Sequence, residues 1–328
     1  MKALIIDNAS GTPVMVPGTH DKPEPKPDEL LVKVEATALN RADLLQKSGN
    51  YPVPEGASPI LGLEMAGIVE EAGSEAHHFK AGNHVIGLLP GGGYAEYCVI
   101  REDHAMAKPP SLSFEEAAAI PEVFLTAFQG LFWLGELFED ETVLIHAGAS
   151  GVGSAAIQLA AQTSGTTIFT TAGTEAKLEL CESLGADLAI NYKEEDFADV
   201  IEEANGSSSV DVILDFVGAP YWHQNIRLLA MDGRLVHLGL LGGVQTDNLD
   251  ISKILKKRLT IRGSTLRNRT DEYKALLTKE FSDHFLENFE DRTLRPVIDS
   301  VYEWEEAEEA HQRMKHNENA GKIVLTGM

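Results

Sequence analysis

TVLIHAGASGVG, residues 142–153, runs directly into SAAIQLAAQ. Val143, Leu144 and Ile145 suit a central parallel strand buried on both faces. Gly148, Gly151 and Gly153 follow at once, and the next residues favour a helix with small side chains toward a sheet. A strand, a glycine turn and a helix start aim free backbone N–H groups and the positive helix end at one place, which suits an anion. In the register Gly148, Ser150, Gly153 the G-x-G-x-x-G pattern has serine in the middle, and Ser150 can offer its hydroxyl to a phosphate instead. Gly148, Ser150, Gly151, Val152 and Gly153 are therefore candidate pyrophosphate contacts. The competing explanation is a tight αβ turn that binds nothing.

The following hundred residues decide between these. TTIFTTAG (166–173), LAINY (188–192), VDVILDFVG (210–218), RLVHLGLLGG (234–243) and LTIRGSTL (259–266) look like strands. Helical segments at 174–186, 194–206 and 221–233 and a short basic helix near 251–258 separate them. With 142–145 they make six strands joined by crossovers, the inventory of a doubly wound dinucleotide fold.

The end of the second strand selects the cofactor. An NAD site usually carries an acid there to hold the ribose 2′-hydroxyl. This chain has Thr171-Ala172-Gly173-Thr174, with no carboxylate before Glu175 and with Lys177 one turn on. Tyr192, at the end of the third strand, is expected beside the same corner. Gly173, Thr174, Lys177 and Tyr192 together favour NADPH over NADH.

The 328 residues are enough for two domains, and 43% apolar with 24% charged residues describes an ordinary globular chain. A formal net charge of −24 argues against nucleic acid or anionic membrane as a partner. No apolar run approaches the roughly 20 residues of a membrane span, and MKALIIDNASG opens a strand, not a signal peptide. Two cysteines, Cys98 and Cys181, build no disulfide framework and suggest a reducing, cytoplasmic setting.

Residues 1 to about 120 differ in kind. ELLVKVEATALN, EMAGIVEEAG, NHVIGLL and YAEYCVI are short strands broken by proline and glycine, as in an antiparallel β domain. Ser113 and Glu116 form a capping box before a helix. Phe124, Phe128, Phe132 and Trp133 recur at helical spacing and are expected in the core. The segment from Arg267 contains amphipathic helices and ends in GKIVLTG, a strand expected to return to the first domain.

ALNRADLLQKSGNYP, LGLEMAGIVEEAG, GGGYAEY, AAAIPEVFLTAF, HAGASGVGSAAIQLA, LGAD with NYKEEDF, and GKIVL together resemble the medium-chain dehydrogenase/reductase superfamily, and most closely its zinc-free quinone oxidoreductases, the zeta-crystallin-like branch. The likeness runs from Met1 to about Leu325. It implies an α/β protein with a GroES-like antiparallel β domain (1–122 and 267–328) and a six-stranded doubly wound Rossmann domain (123–266). It also implies an NADPH site in the cleft between them and a homodimer.

Zinc-bearing members carry Cys where this chain has Asn40, Gly-His-Glu where it has Gly62-Leu63-Glu64, a third ligand near Glu122, and a four-cysteine lobe. No metal site is therefore expected here. Without a metal to lower a hydroxyl pKa, the natural reaction is hydride delivery to an acceptor that stabilises its own negative charge, a quinone or another electrophile. The protein then acts mainly by positioning. The resemblance sets Asn40 beside the nicotinamide and acceptor. Tyr51, in a proline-framed loop, is expected either to stack on a planar acceptor or to donate to its carbonyl. Gly239 and Leu241, with Ser264 and Leu266, should face the nicotinamide through their backbones, while Asn319 and Lys322 close over it. Asp43 and Glu64 are expected to orient the backbone, not to act as acid or base. Arg267 either helps the phosphates or pairs with an acid. The expected activity is NADPH-dependent quinone reduction. The alternatives are a 2-alkenal or enone reductase on the same scaffold and a non-catalytic NADPH-binding protein.

Overall fold

Parallel strands and crossover helices alternate along the middle of the chain because each apolar strand run is followed by a helix with one apolar face. The computed structural model describes residues 1–8 and 11–327. It divides into two units, Met1–Leu125 with Arg267–Met328, and Thr126–Leu266.

The second unit is a six-stranded sheet in the order Leu188–Asn191, Thr167–Ala172, Thr142–Ile145, Val210–Asp215, Leu229–His237, Thr260–Gly263. Every neighbouring pair is parallel. The unit's first strand in sequence, Thr142–Ile145, thus lies in the middle, and the sheet is the doubly wound form expected. Leu144, Phe169, Ile190, Phe197, Ile201, Ile213, Ile226 and Leu235 share one core on its flank.

Two expectations need correction here. The helix expected over 221–233 stops at Leu228, and the chain turns extended at Leu229. Lys257 Nζ donates to the carbonyls of Ile226, Arg227 and Leu229, satisfying the helix end with a cation. Asp232 then adopts a φ of 64° in the irregular stretch before Arg234 rejoins the sheet. Second, of the aromatic stripe only Phe124 and Phe128 are buried, at 1% and 5% exposure, while Phe132 and Trp133 are half-buried. The helix Pro121–Phe128 widens into a π-helical turn over Gln129–Leu134, which rotates the later residues off the buried face.

The first unit is built on Glu29–Ala38. That strand pairs antiparallel with Glu64–Ala72, with Tyr97–Arg101 and with Lys322–Thr326. His84–Leu88 and Ala105–Ala107 extend the sheet on one side, and Ile298–Glu303 lies parallel to Lys322–Thr326 on the other. A hairpin of Lys2–Asp7 and Val14–Thr19 packs Leu4 and Met15 against Leu39, Tyr94, Trp304, Met314 and Leu325. Residues from both ends of the chain therefore share one core. The capping box forms as expected: Glu116 N–H donates to Ser113 Oγ, and Ser113 N–H donates to Glu116 Oε2.

Candidate active site

In the second unit the strand Thr142–Ile145 ends in His146, and Ala147 takes a φ of 52°, an unusual conformation for a residue with a side chain. The helix Gly151–Ala160 then begins with Ser150 as its N-cap, its Oγ accepting from Gly153 N–H at 3.0 Å. Ser150 keeps its own proton as a donor. Gly151 and Val152 open the helix, so their N–H groups have no intrahelical acceptor and suit an anion. A Cβ on Gly148 would overlap Thr170 Oγ1, and one on Gly153 would overlap the Ala147 carbonyl. Backbone closeness demands both glycines. His146 lies beneath the turn, fully buried, between Thr171 Oγ1 (3.1 Å) and Asn225 Oδ1 (2.8 Å). Burial lowers its pKa, and the acceptor Asn225 Oδ1 assigns the ring proton to Nε2.

Thr174 caps the helix Glu175–Ser183, placing the partly buried Lys177 in its first turn. A Cβ on Gly173 would come within 2.9 Å of Tyr192 OH and 3.0 Å of Lys193 Cε. Gly173, Tyr192 and Lys193 thus share one corner with a cation that sequence reasoning missed. Its signal was adjacency: Lys193 follows Tyr192 directly at the strand end. Gly173 is the residue that leaves room for both of those side chains, since any Cβ there would crowd them. The loop at 238–243 lies along 216–218, with Leu241 N–H on the Phe216 carbonyl and Gly242 N–H on that of Val217. Gly239 faces the Phe216 carbonyl, Leu241 is exposed, and Leu266 is buried. Ser264 N–H bonds the His237 carbonyl, and its Oγ bonds Gln129 Oε1 at 3.2 Å.

The first unit gathers a different set. Lys322 Nζ donates to Leu39 O (2.6 Å), Asn40 Oδ1 (2.8 Å) and Glu64 Oε1 (2.7 Å), which uses all three of its protons. Asn40 Nδ2 donates to the same Glu64 oxygen at 2.8 Å. The Asn40 amide is therefore locked, oxygen toward the ammonium and nitrogen toward the carboxylate. Glu64 Oε2 accepts the Glu122 N–H at 2.9 Å. Asp43 receives the N–H groups of Asn40 and Gly62 and the Tyr94 hydroxyl. Burial nevertheless raises its carboxyl to about 6. Tyr94 OH also meets His311 Nε2 at 3.2 Å, and burial holds that imidazole down at about 3. Glu122 is partly exposed, and its carboxyl is raised to about 8, first by burial and then by the charge on Glu64.

Lys322 and Asn319 both have partners within the first unit. Lys322 is 3% exposed and spent on Leu39, Asn40 and Glu64, while Asn319 Nδ2 donates to the Gly321 carbonyl at 2.8 Å. Arg267 settles into a third role: Nε and Nη2 bind the Pro90 carbonyl, and its guanidinium lies 5.2 Å from the Tyr51 ring centre. Burial raises the Tyr51 hydroxyl pKa. Sequence reasoning named Glu122 only as a neighbour of a ligand position and missed it as a proton-holding group. The spacing from Glu64 gives no local signal of their contact.

The donor set does not fit a catalytic zinc. Asn40 turns its oxygen to an ammonium, Leu63 has no donor atom, and Glu64 is occupied by Lys322 and Asn40. Among the described residues no group of three or more His, Cys, Asp or Glu could hold a metal ion. No helix among them is long and apolar enough to cross a membrane.

The family described as "Alcohol dehydrogenase GroES-like domain" matches residues 26–110, and that described as "Zinc-binding dehydrogenase" matches 151–282. The quinone oxidoreductase of Sus scrofa is 32% identical over 305 residues, covering 92% of this chain and 90% of that protein. Among solved structures, the Escherichia coli quinone oxidoreductase complexed with NADPH superposes with a TM-score of 0.86 at 28% identity, covering 99% of both chains. An NAD-dependent alcohol dehydrogenase gives 0.86 at 30% identity over the full length of both chains. Both folds, the end-to-end identity and the cluster around Glu64 agree: the chain is an oxidoreductase of the medium-chain dehydrogenase/reductase superfamily, with quinone oxidoreductases among its relatives.

Proposed function

We propose that the protein is an NADPH-dependent, zinc-independent quinone reductase. The observation that carries this is the Asn40–Glu64–Lys322 array. It fixes an amide by charged partners on both sides and offers no Lewis-acid site. An array of this kind orients an acceptor but does not deprotonate an alcohol, so it favours acceptors that can hold added electrons themselves. NADPH, when bound, supplies the hydride. Asn40 positions the reacting groups, and Tyr51, backed by the Arg267 guanidinium, stacks against a planar acceptor. The turn of Gly148, Ser150, Gly151, Val152 and Gly153 holds the pyrophosphate, and Gly173, Thr174, Lys177, Tyr192 and Lys193 hold the 2′-phosphate. The backbones at Gly239, Leu241, Ser264 and Leu266 line the nicotinamide.

The same proposal includes a cytoplasmic homodimer. Cys98 and Cys181 are free and buried, their thiols pushed up to about 12 by burial, which suits a reducing compartment. In the second unit Leu241, Val244, Ile251 and Leu255 are 62–80% exposed, apolar side chains that a second copy could cover. Sedimentation velocity reads the dimer directly.

The deciding experiment compares NADPH oxidation with a small ortho- or para-quinone and with a 2-alkenal. Faster quinone turnover supports the proposal, and faster alkenal turnover replaces it with an enone reductase. Tight NADPH binding without oxidation across a broad acceptor panel reduces the protein to a binding module.

A further inference from the structure

The proton consumed in such a reduction needs a donor. We propose that Glu122 is that donor: a neutral carboxyl beside the Asn40–Glu64–Lys322 array that protonates the acceptor as the hydride arrives. This rests on the reductase proposal above.

The argument begins with counting charges. Among the described residues Lys322 is the only cation in hydrogen-bond contact with Glu64, and its three protons go to Leu39, Asn40 and Glu64. Asp43 is answered by three donors, two backbone N–H groups and the Tyr94 hydroxyl. Arg267 directs Nε and Nη2 to the Pro90 carbonyl. Glu122 receives none of these, and among the described residues it makes no ion pair, while its own N–H is tied to Glu64 Oε2. The one ammonium is spent on Glu64, and the Glu122 carboxyl beside it is left without a cation in hydrogen-bond contact, which favours its protonated form. The groups acting on Glu122 are Glu64 and Asp43, which favour the neutral form, Lys322 and Arg267, which oppose it, and Tyr51 and Lys274 at longer range. Burial and Glu64 prevail, giving a value of about 8. A carboxylic acid near that value is matched to proton donation at neutral pH. Glu64 is wholly buried, whereas Glu122 is partly exposed, so the Glu122 carboxyl has access to solvent for replacement of its proton.

The step balances. Two electrons and one hydrogen reach the acceptor as hydride and the nicotinamide is oxidised. The Glu122 O–H bond breaks as an acceptor O–H bond forms, and solvent reprotonates the carboxylate. For an enone the same proton goes to the enolate carbon.

The test uses the full chain, Glu122→Gln and Glu122→Asp. In cofactor-free protein labelled with 13C-glutamate, infrared spectra should show one protonated glutamate band at pH 7 that fades around pH 8 and is missing from Glu122→Gln. With NADPH and a small para-quinone, kcat of the wild type should fall above about pH 8. Glu122→Gln should lose about 100-fold in kcat and the pH limb, with NADPH Kd within about twofold of wild type. Glu122→Asp should retain the limb at reduced kcat, and it decides the case if the glutamine variant does not fold. A glutamine variant with wild-type kcat and an unchanged limb overturns the donor role and leaves the reductase intact. So does a wild type without the band at pH 7. A wild type that oxidises no acceptor overturns the reductase proposal and the donor with it.

Discussion

The glycine turn at 148–153 and the charged cluster around Glu64 solve opposite problems. The turn works by removing side chains: Gly148 and Gly153 leave room only for their neighbours' own atoms. The cluster works by importing them, with Glu64 held by a lysine 258 positions away. A site written in consecutive residues tolerates no change of size but depends little on distant parts of the chain. A site written in distant residues depends on partners being present in the right charge state. The two should therefore fail differently when altered.

The largest effect is expected from Lys322→Met, which leaves the wholly buried Glu64 carboxyl without its cation. Stability should fall by about 3–5 kcal/mol in urea unfolding. The double variant Lys322→Met with Glu64→Gln should recover much of that loss, and equal losses in both would show that packing, not charge, holds the cluster. Next comes Gly153→Ala, whose methyl displaces the Ala147 carbonyl; a cost of about 1–3 kcal/mol is expected in the same assay. Here no second substitution elsewhere should rescue it, and a rescue would erase the contrast.

A smaller effect tests the corner. Lys177→Ala and Lys193→Ala should each weaken NADPH by about tenfold, close to 1.4 kcal/mol, and leave NADH nearly unchanged in fluorescence titrations. Equal losses for both cofactors would remove the phosphate role. The smallest is a slope. Glu122 and Asp43 hold protons in the folded protein, at about 8 and about 6, that an unfolded chain releases near the ordinary carboxylate range. Their stabilising contribution is full below that range and is lost as pH rises through those folded values. The melting temperature should therefore decline from pH 4 to 8, and Glu122→Gln should flatten the upper part by roughly 2–4 °C.

The same contrast explains what could be read from residue order. The sheet of the second unit was legible because a strand, a turn and a helix follow one another within a dozen residues. The overrun at 229–233 happened because Leu229 and Ala230 are good helix formers, and the cation that ends the helix, Lys257, lies 28 positions beyond Leu229. Asn40 and Lys322 were visible as motif residues, but their union was not, since nothing in LNRAD or GKIVL encodes the other. The three acceptors of Lys322 come from Leu39, Asn40 and Glu64, far from it in sequence, so residue order gives no sign of them. The raised carboxyl of Glu122 depends on Glu64 and on burial, and both are properties of the assembled sheet.

The strand Lys322–Thr326 lies between Glu29–Ala38 and Ile298–Glu303, not at the rim of its sheet. On the ribosome, then, the flank of Glu29–Ala38 that pairs with Lys322–Thr326 stays open until that distant strand has been made. The contiguous stretch 126–266 can mature meanwhile, ahead of the unit whose strands flank it in sequence. Chaperone demand should accordingly concentrate on the first hundred residues, and stop codons placed just before Lys322 should yield a protein whose middle is folded and whose beginning is not.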